Sequence, residues 1–306
     1  MIYQEEAGDG LRIVRSDGAE MVCSMMSDRG WKVAQDGMDD FIDMQLDVVT
    51  SANVLTDGSA LVSKRVGEVE RTCSIFYAGD TAPSTVRTEC LSFFNPKRSF
   101  EVHVTHLGVT RWCEGELVEV KCELKPGNHP CECTFTLLCL DPYLRSEDGH
   151  EHSFGDATGT FGWPFISVTD AIVPGAKRVP VGFPISVLVY DGINTIYNAG
   201  DVSTTYTVRI EAKGFLRNPT ITKDGRFVKV LIDMEAGQVL VIDFQKTPPT
   251  VELDGSNIIG LCSRDSSFTH MAMQTGANLF TFTIDNMENY ALADVQILYN
   301  DRYTGV

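Results

Sequence analysis

The chain has 306 residues, of which 43% are hydrophobic and 22% are charged, and its formal net charge is −17. This apolar fraction can bury enough surface to offset the entropy of ordering, which argues against disorder, and the length predicts about two domains. An acidic chain without a dense run of Lys and Arg is not expected to bind nucleic acid. No stretch approaches the ~18 uninterrupted apolar residues of a membrane span, and the acidic start MIYQEEAGDG predicts neither a signal peptide nor a basic anchor.

Alternating apolar and polar residues predict short strands along most of the chain. In residues 116–124, the alternation predicts Val118, Val120, Cys122 and Leu124 on one face of a strand. Similar alternation occurs in residues 40–49, 69–77, 100–105, 131–140, 185–190, 205–212, 227–234, 238–244, 279–284 and 294–299. Such strands, separated by Gly, Asp, Asn and Pro, are typical of antiparallel sandwiches or barrels.

One segment has helical periodicity. Residues 84–94 place Val86, Cys90 and Phe93/Phe94 on one helical face, with Pro83 before them and Asn95-Pro96 after them. A single helix among strands predicts an α+β first domain. A domain boundary is predicted after Asp141-Pro142-Tyr143, because a Gly-rich, weakly periodic segment follows and eight of the nine cysteines precede it. The predicted domains are residues 1–144 and 145–306.

The nine cysteines do not follow a disulfide or zinc pattern. Their number is odd, no C-x-x-C pair occurs, and the closest pair is Cys131-x-Cys133. A strand would place these two sulfur atoms on one face with Phe135, Leu137 and Cys139. We therefore interpret most of the cysteines as reduced, small apolar core residues rather than metal ligands. They lie at positions 23, 73, 90, 113, 122, 131, 133, 139 and 262.

Two groups of histidines and acidic residues could form metal sites, but a structural interpretation is preferred for both. His150-x-His152, near Asp148 and Glu151, lacks a recognisable third ligand, so a solvated interdomain loop is the preferred interpretation. An acidic cluster lacks the spacing of a calcium loop and is interpreted as the solvent-facing side of a strand that carries Phe41 and Leu46. Its members are Asp36, Asp39, Asp40, Asp43 and Asp47.

No motif of a nucleophile, a zinc protease, a P-loop or a dinucleotide-binding fold is present, and residues 156–163 are interpreted as a flexible connection between the domains. A structural role is preferred for His103, His106 and His270. A glycosidase-like pair of carboxylates stays open, because separations in space cannot be read from the sequence.

Three runs of residues, in order, resemble the siphophage distal tail proteins of the Dit type. The first, in residues 92–124 and 133–144, carries Asn95, Pro96, Lys97, Gly108, Arg111, Gly115, Val118, Asp141, Pro142 and Tyr143. The second, in residues 196–221, carries Asn198, Gly200, Asp201, Asn218 and Pro219. The third, in residues 276–284 and 299–306, carries Gly276, Asn278, Arg302, Tyr303 and Gly305. The chain departs from the family in having Cys139-Leu140 where a Cys-Pro pair is usual.

The resemblance implies a mainly β virion structural protein that is not an enzyme and has no cofactor. Residues 1–144 would form a tail-tube and baseplate-hub-like β-sandwich with one helix, which builds a hexameric ring at the distal tail tip. Residues 145–306 would form a galectin-like β-sandwich. The implied partners are the tail-tube protein, the tape-measure protein and tail-associated hub, lysin or fibre proteins, with assembly in the bacterial cytoplasm and no membrane insertion.

The charge and the aromatic residues add two hypotheses to that resemblance. Six chains would carry about −102, six times −17, which would keep transiting DNA from adhering to the ring lumen. Alternatively, the second domain would be a carbohydrate-binding adhesin with Trp163, Tyr190 or Tyr206 as stacking platforms. A hydrolase is the third class that the sequence leaves open.

Overall fold

The computed structural model describes residues 9–25, 29–42, 47–52, 59–124, 130–154, 158–159, 188–189 and 193–306. The chain divides into two compact units. Unit 1 comprises Met1–Gly149, Ala199–Thr204 and Asn300–Val306, and unit 2 comprises His150–Asn198 and Thr205–Tyr299. This division differs from a single boundary after residue 144, because two later segments return to unit 1.

Strands dominate the described residues. The first ten are β1 (Gly10–Arg15), β2 (Glu20–Ser24), β3 (Gly30–Val33), β4 (Asp47–Ala52), β5 (Ser59–Arg65), β6 (Val69–Ala78), β7 (Ser99–His106), β8 (Val109–Glu123), β9 (Glu132–Cys139) and β10 (Leu144–Ser146). The next eight are β11 (His150–Phe154), β12 (Thr158–Gly159), β13 (Leu188–Val189), β14 (Ile193–Asn198), β15 (Tyr206–Ala212), β16 (Leu216–Arg217), β17 (Thr220–Lys223) and β18 (Arg226–Lys229). The last are β19 (Asp233–Met234), β20 (Val239–Asp243), β21 (Thr250–Leu253), β22 (Ser256–Asn257), β23 (Gly276–Thr283), β24 (Ala293–Tyr299) and β25 (Arg302–Tyr303). Among them lie helices α1 (Asp39–Ile42) and α2 (Pro83–Phe93) and the 3₁₀ helices Ile259–Leu261 and Met287–Leu292.

Unit 1 is built on a sheet that closes on itself. Its strand order is β25-β10-β8-β7-β1-β2-β3-β6-β9, and an additional pairing of β8 with β9 completes a closed barrel. The long strand β8 makes closure possible, because residues 109–116 pair with β7 and residues 116–123 pair with β9. The β4–β5 hairpin is a separate two-stranded sheet.

Helix α2 packs on this barrel as its sequence predicts. It begins at Pro83, where a missing N–H costs no helical hydrogen bond, and it ends just before Asn95-Pro96. Val86, Cys90 and Phe94 are buried. The Phe94 ring stacks on the Phe135 ring of β9 with 4.6 Å between centroids. The inward residues of β9 are buried as the alternation predicts: Cys133, Phe135, Leu137 and Cys139.

Strand β8 contains an irregularity that the alternation does not predict. The register with β9 shifts between Leu117 and Glu119, as in a β-bulge, which reverses the faces of the residues that follow. Leu117, Val120 and Cys122 pack against the core, whereas Val118 is 53% exposed. The prediction that Val118 lies on one face with Val120 and Cys122 is therefore wrong.

Unit 2 is a two-sheet sandwich with one core. One sheet has the order β11-β24-β15-β20-β21-β22 and the other β14-β23-β17-β18. Alternate residues of both sheets fill the core, as in sandwiches generally. Those residues include Val208, Ile210, Ile242, Val295 and Ile297 from the first sheet and Ile196, Ile221, Val228, Phe280 and Phe282 from the second.

Two local predictions are wrong. Residues 39–42, predicted as part of a strand over 40–49, form the single turn α1, whose Phe41 is fully buried. The His150-x-His152 segment, interpreted as a solvated loop, is strand β11, which pairs with β24 from His150–Tyr299 to Phe154–Val295. In both places a long-range partner decides the local conformation, because short segments have weak intrinsic preferences. Residues 43–46, which include Asp43 and Leu46, and residues 160–187 lie outside the described residues.

Candidate functional site

The resemblance markers near the C-terminus meet on unit 1. Strand β25 pairs with β10, and Arg302 also forms a bridge with Val202. The Asp201 amide donates a hydrogen bond to the Arg302 carbonyl at 2.9 Å. Residues 199–204 and 300–306 therefore lie together beside the barrel, although about 100 residues separate them in sequence.

The Asp141 carboxylate is the charged centre of this region. Its Oδ2 atom lies 2.8 Å from Nη2 of Arg302 and 3.2 Å from Nη2 of Arg145. All three side chains are about four-fifths buried, with exposures of 20% for Asp141 and 18% for each arginine. Burial lowers the pKa of Arg302, and the nearby Asp141 partly offsets this effect. The Arg145 guanidinium also lies 4.9 Å from the centre of the Trp112 ring.

Asp201 and Arg111 hold the residues that follow Arg302. Oδ2 of Asp201 accepts hydrogen bonds from the Thr304 amide and hydroxyl, each at 3.2 Å. The Arg111 guanidinium lies 3.5 Å from the centre of the Tyr303 ring and donates to the Gly305 carbonyl. We call these residues the terminal clasp, which comprises Arg111, Asp141, Arg145, Asp201 and Arg302–Gly305.

Position 305 in the terminal clasp requires glycine, because there is no space for a side chain. A Cβ atom at this position would collide with the Ile42 carbonyl, and the Val306 amide donates to that same carbonyl at 3.2 Å. Asp301 adds a contact at the other end of the segment, because its Oδ1 accepts from the Ala199 amide at 3.2 Å. The terminal clasp thus binds the end of the chain to the first unit.

Arg71 is a buried residue of this region that sequence reasoning missed. It is 0% exposed, and its guanidinium donates to the Asp40 and Pro142 carbonyls, the latter at 2.9 Å. The signal was available, because Arg71 has the same strand phase as the inward Cys73 and Ile75. A cation at an inward position requires partners, and here backbone carbonyls supply them.

Several other markers of unit 1 lie in turns. Oδ1 of Asn95 accepts from the Lys97 amide at 3.0 Å at the end of α2. Leu107 and Gly108 both have positive φ, 49° and 79°, as a two-residue hairpin between β7 and β8 requires. The Tyr143 amide donates to Asp141 at 3.4 Å.

The markers of unit 2 stabilise a loop at the start of β23. Asn278 is 1% exposed, and its amide group bonds the Gln274 amide and carbonyl, both at 2.8 Å, and the Gly276 carbonyl at 2.9 Å. Asn198 is fully buried and donates to the Met273 carbonyl at 3.4 Å. Gly200, which belongs to unit 1, is also buried. Asn198 and Asn278 thus hold the backbone of residues 273–276 by hydrogen bonds.

Four of the described histidines make polar or ring contacts. His103 Nδ1 lies 2.7 Å from a Glu147 oxygen, and His106 Nδ1 lies 3.0 Å from an Asp9 oxygen. His152 Nε2 lies 3.3 Å from the Asn194 side-chain oxygen, and the His150 ring lies 5.0 Å from that of Tyr299. His270 has a positive φ of 60° in an exposed turn.

Of the predicted acidic cluster, Asp40 has a clear structural contact. Its Oδ2 accepts from the Thr72 amide at 3.1 Å. Asp39 shares the α1 turn with it, and Asp36 has a positive φ of 56°. These acids therefore lie in a turn and not along the solvent-facing side of a strand.

The cysteines carry free thiols, and most are buried. Cys133 Sγ lies 3.0 Å from Cys90 Sγ and 3.0 Å from Cys122 Sγ, and Cys113 Sγ lies 3.9 Å from Cys139 Sγ. Burial raises the pKa of Cys122 to about 12. The pKa of Cys133 is also raised, first by its hydrogen bond with Cys90 and then by burial.

The aromatic platforms of the adhesin hypothesis find no support in the described residues. Tyr206 is 0% exposed and packs between the Phe244 and Phe280 rings, with centroids 4.9 and 5.1 Å away. A buried ring cannot stack on a sugar, so the prediction for Tyr206 is wrong. Trp163 and Tyr190 lie outside the described residues. Over the part of the chain that is described, no helix has the length and apolarity to cross a membrane.

Comparison with known families finds a match for about a third of the chain. Residues 199–303 match the family model of the siphovirus-type tail component, C-terminal domain. This range includes Asp201, Arg302 and Tyr303 of the terminal clasp and most of unit 2. No curated protein sequence matches the chain.

Solved structures share the fold of almost the whole chain. The Dit protein of phage SPP1, described as a paradigm of the hub adsorption apparatus in phages that infect Gram-positive bacteria, superposes with a TM-score of 0.63 at 12% identity. That match covers 95% of this chain and 98% of SPP1 Dit. A chain of the phage P2 baseplate in its activated conformation with Ca has a TM-score of 0.53 at 10% identity, with 95% and 97% covered. The chain is thus similar to Dit-type tail components in residues 199–303 and in the mainly β fold of almost its whole length.

Proposed function

We propose that this chain is the subunit of a hexameric ring that joins the tail tube to the adsorption apparatus of a siphophage. The observation that carries the proposal is the fold shared with SPP1 Dit over 95% of the chain. In this proposal the chain is a structural protein of the virion and not an enzyme. It is assembled in the bacterial cytoplasm and meets the tail-tube and tape-measure proteins and the hub or fibre proteins.

We assign ring formation to unit 1. In this proposal unit 2 is a galectin-like sandwich that faces outward from the ring. A ring subunit needs a rigid body, and the closed barrel of unit 1 with the terminal clasp supports this assignment. Unit 1 also exposes Leu107, Val118 and Leu140 at 81%, 53% and 72% of their surfaces. In this proposal, neighbouring subunits cover these side chains.

The assembly state tests the ring. We expect the purified chain to form a six-fold ring of about 202 kDa, six times the 33.7 kDa of one chain, seen by light scattering and negative-stain imaging. If the ring closes only on its neighbours, it should appear when the tail-tube protein is added. A chain that stays monomeric at every concentration, with and without the tail-tube protein, would rule out the ring.

We also propose that DNA passes through the ring and that acidic residues on the lumen keep it from adhering. The charge of −17 per chain supports this proposal, because like charges repel the phosphate backbone without specific contacts. Replacing lumen-facing acids by Lys should slow genome ejection, whereas the same number of Lys residues on the outer surface should not. An ejection rate that is equal for both sets of variants would contradict the proposal.

A further inference from the structure

Three cysteine thiols converge inside unit 1. Their sulfur atoms all lie within 4.8 Å of one another, and Cys133 Sγ lies 3.0 Å from each of the other two. We call Cys90, Cys122 and Cys133 the thiol triad. Among the described residues, it is the one group of three or more Cys, His, Asp or Glu ligand atoms within such distances.

Three separate elements bring the triad together. Cys90 lies on α2, Cys122 on β8 and Cys133 on β9, and Cys122 and Cys133 are direct partners across the β8–β9 pairing. The bulge in β8 turns Cys122 toward the core and its two partners. A ligand held by all three sulfur atoms would tie the helix to the strands that close the barrel.

A disulfide cannot satisfy this arrangement. An S–S bond joins only two sulfur atoms, whereas Cys133 Sγ lies 3.0 Å from two others. Cys133 could bond only one of its two equidistant neighbours, and the third thiol would stay unpaired. A soft metal ion, in contrast, accepts three thiolates at once.

We propose that the thiol triad binds a zinc ion, with a water molecule as the fourth ligand. Binding would release the three thiol protons to solvent and leave three thiolates around Zn²⁺, for a net charge of −1. Zn–S bonds of about 2.3 Å in a tetrahedron imply sulfur separations of about 3.8 Å. Cys90 and Cys122 would therefore each retract from Cys133 by roughly 0.8 Å, which a small side-chain rotation provides.

The surroundings suit such a site. Cys90 and Cys133 are fully buried, whereas Cys122 is only partly buried, so an ion and its water ligand can reach the triad from the Cys122 side. The Arg87 guanidinium is close by, because its Nε donates to the Cys122 carbonyl at 3.2 Å. A cation at this position offsets the residual negative charge of a three-thiolate zinc site.

Metal content is the direct test. We expect the full chain, purified with a reductant and without chelators, to hold one zinc ion per chain by elemental analysis. Titration of the stripped protein with Cd²⁺ should give the ultraviolet charge-transfer band of cadmium thiolates, saturating at one equivalent. At zinc concentrations about 100 times Kd, the melting temperature should rise by roughly 5–10 °C.

Matched variants locate the site. Cys133→Ala and Cys122→Ala should each lose at least about tenfold in zinc affinity and the Cd²⁺ band, because each removes a ligand. Cys113→Ala is the control, since Cys113 is equally buried in unit 1 but contacts Cys139 instead of the triad. If Cys133→Ala does not fold, the partly exposed Cys122 provides the same test.

Three results would overturn the proposal. The first is a reduced, folded chain that binds neither Zn²⁺ nor Cd²⁺. The second is a Cys122→Ala or Cys133→Ala variant that binds zinc as tightly as the parent chain. The third is a non-reducing intact mass two hydrogens below the reduced mass, with peptide mapping that joins Cys133 to Cys90 or Cys122. None of these results bears on the ring, so the proposed function is tested separately.

Discussion

Asp141 concentrates charge at a partly desolvated position. Two guanidinium groups, those of Arg302 and Arg145, contact one carboxylate whose side chain is 20% exposed. Burying such charges is costly unless every group keeps a partner. Removal of the carboxylate would leave two arginine side chains facing each other, and this repulsion adds to the loss of the hydrogen bonds.

Asp141→Asn should therefore destabilise unit 1 more than an ordinary loss of a surface ion pair. We expect a loss of about 1.5–3 kcal/mol in the free energy of unfolding, measured by urea denaturation. Glu119→Gln is the matched control, because it removes an ion pair with Lys121 in which both side chains are exposed, Lys121 at 61% and Glu119 at 53%. This substitution should lower the free energy of unfolding by about 0–1 kcal/mol.

A double-mutant cycle with Arg302→Gln separates the direct pair from the rest of the terminal clasp. A coupling energy between Asp141 and Arg302 of at least about 0.5 kcal/mol is expected for residues in one network. Equal losses for Asp141→Asn and Glu119→Gln would show that the Asp141 contacts do not stabilise unit 1.

The sequence indicated the burial and the contacts of some single residues better than those of others. The markers Asp141, Arg302 and Gly305 were identified from the resemblance, but their mutual contacts were not. Arg71 was indicated by its inward strand phase and was overlooked. Tyr206 is a stacking platform in the adhesin hypothesis, yet its phase in β15 is that of the buried Val208 and Ile210. Strand phase was thus the better guide to burial.

Among the elements, β8 shows how a bulge overrides alternation. Before the bulge, Cys113, Gly115 and Leu117 face the core, and after it Val120 and Cys122 do so. The extra residue at the bulge leaves Val118 in solvent. Alternation read directly from the sequence places Val118 on the face of Val120 and Cys122 and Leu117 on the other face, which is the reverse of what the structure shows.

Serine substitutions at these two positions distinguish the two assignments. Leu117→Ser should cost roughly 1–2 kcal/mol, since it removes a half-buried apolar side chain from the core. Val118→Ser should change the free energy of unfolding by less than about 0.5 kcal/mol in the isolated chain. Chemical denaturation of both variants measures the difference, and a larger loss for Val118→Ser would contradict the register of β8 with β9.

Helix α2 is the opposite case, because its limits depend on local signals. The helix begins at Pro83 and ends before Asn95-Pro96, and these signals do not depend on contacts with the barrel. The α1 turn and strand β11 had no comparable signals. Their conformations depend on residues far along the chain, such as Ile42 contacting Val306 and β11 pairing with β24.

At the scale of the whole molecule, acid should weaken unit 2 through paired carboxylates. Burial raises the pKa of Asp224, but hydrogen bonds from the Lys223 ammonium and the Leu279 amide outweigh this effect and lower it below 3.8. Hydrogen bonds from Asn218 and Lys229 lower the pKa of Asp285 in the same way. The unfolded chain then takes up these protons first as the pH falls, so the stabilisation is complete well above pH 3.8 and is lost as the pH falls through the folded-state pKa values.

Asp224→Asn should therefore reduce the slope of melting temperature against pH in the acid range. Lys223→Gln is the matched variant, because it removes the cation and should reduce the slope in the same direction. Calorimetric melting across the acid range gives both slopes. Unchanged slopes in both variants would show that this pair does not contribute to the acid sensitivity of unit 2.

The sequence by itself determined the mainly β class, helix α2, the inward cysteines of β9 and the resemblance to distal tail proteins. Periodicity, proline positions and short ordered motifs are local properties, so they can be read without coordinates. Only the tertiary structure decided the closure of the barrel, the β8 bulge, the return of the C-terminus to unit 1, the terminal clasp and the thiol triad. Each depends on strand register and on side chains brought together from distant positions, and such pairings follow from the packing of the whole unit rather than from any segment of it.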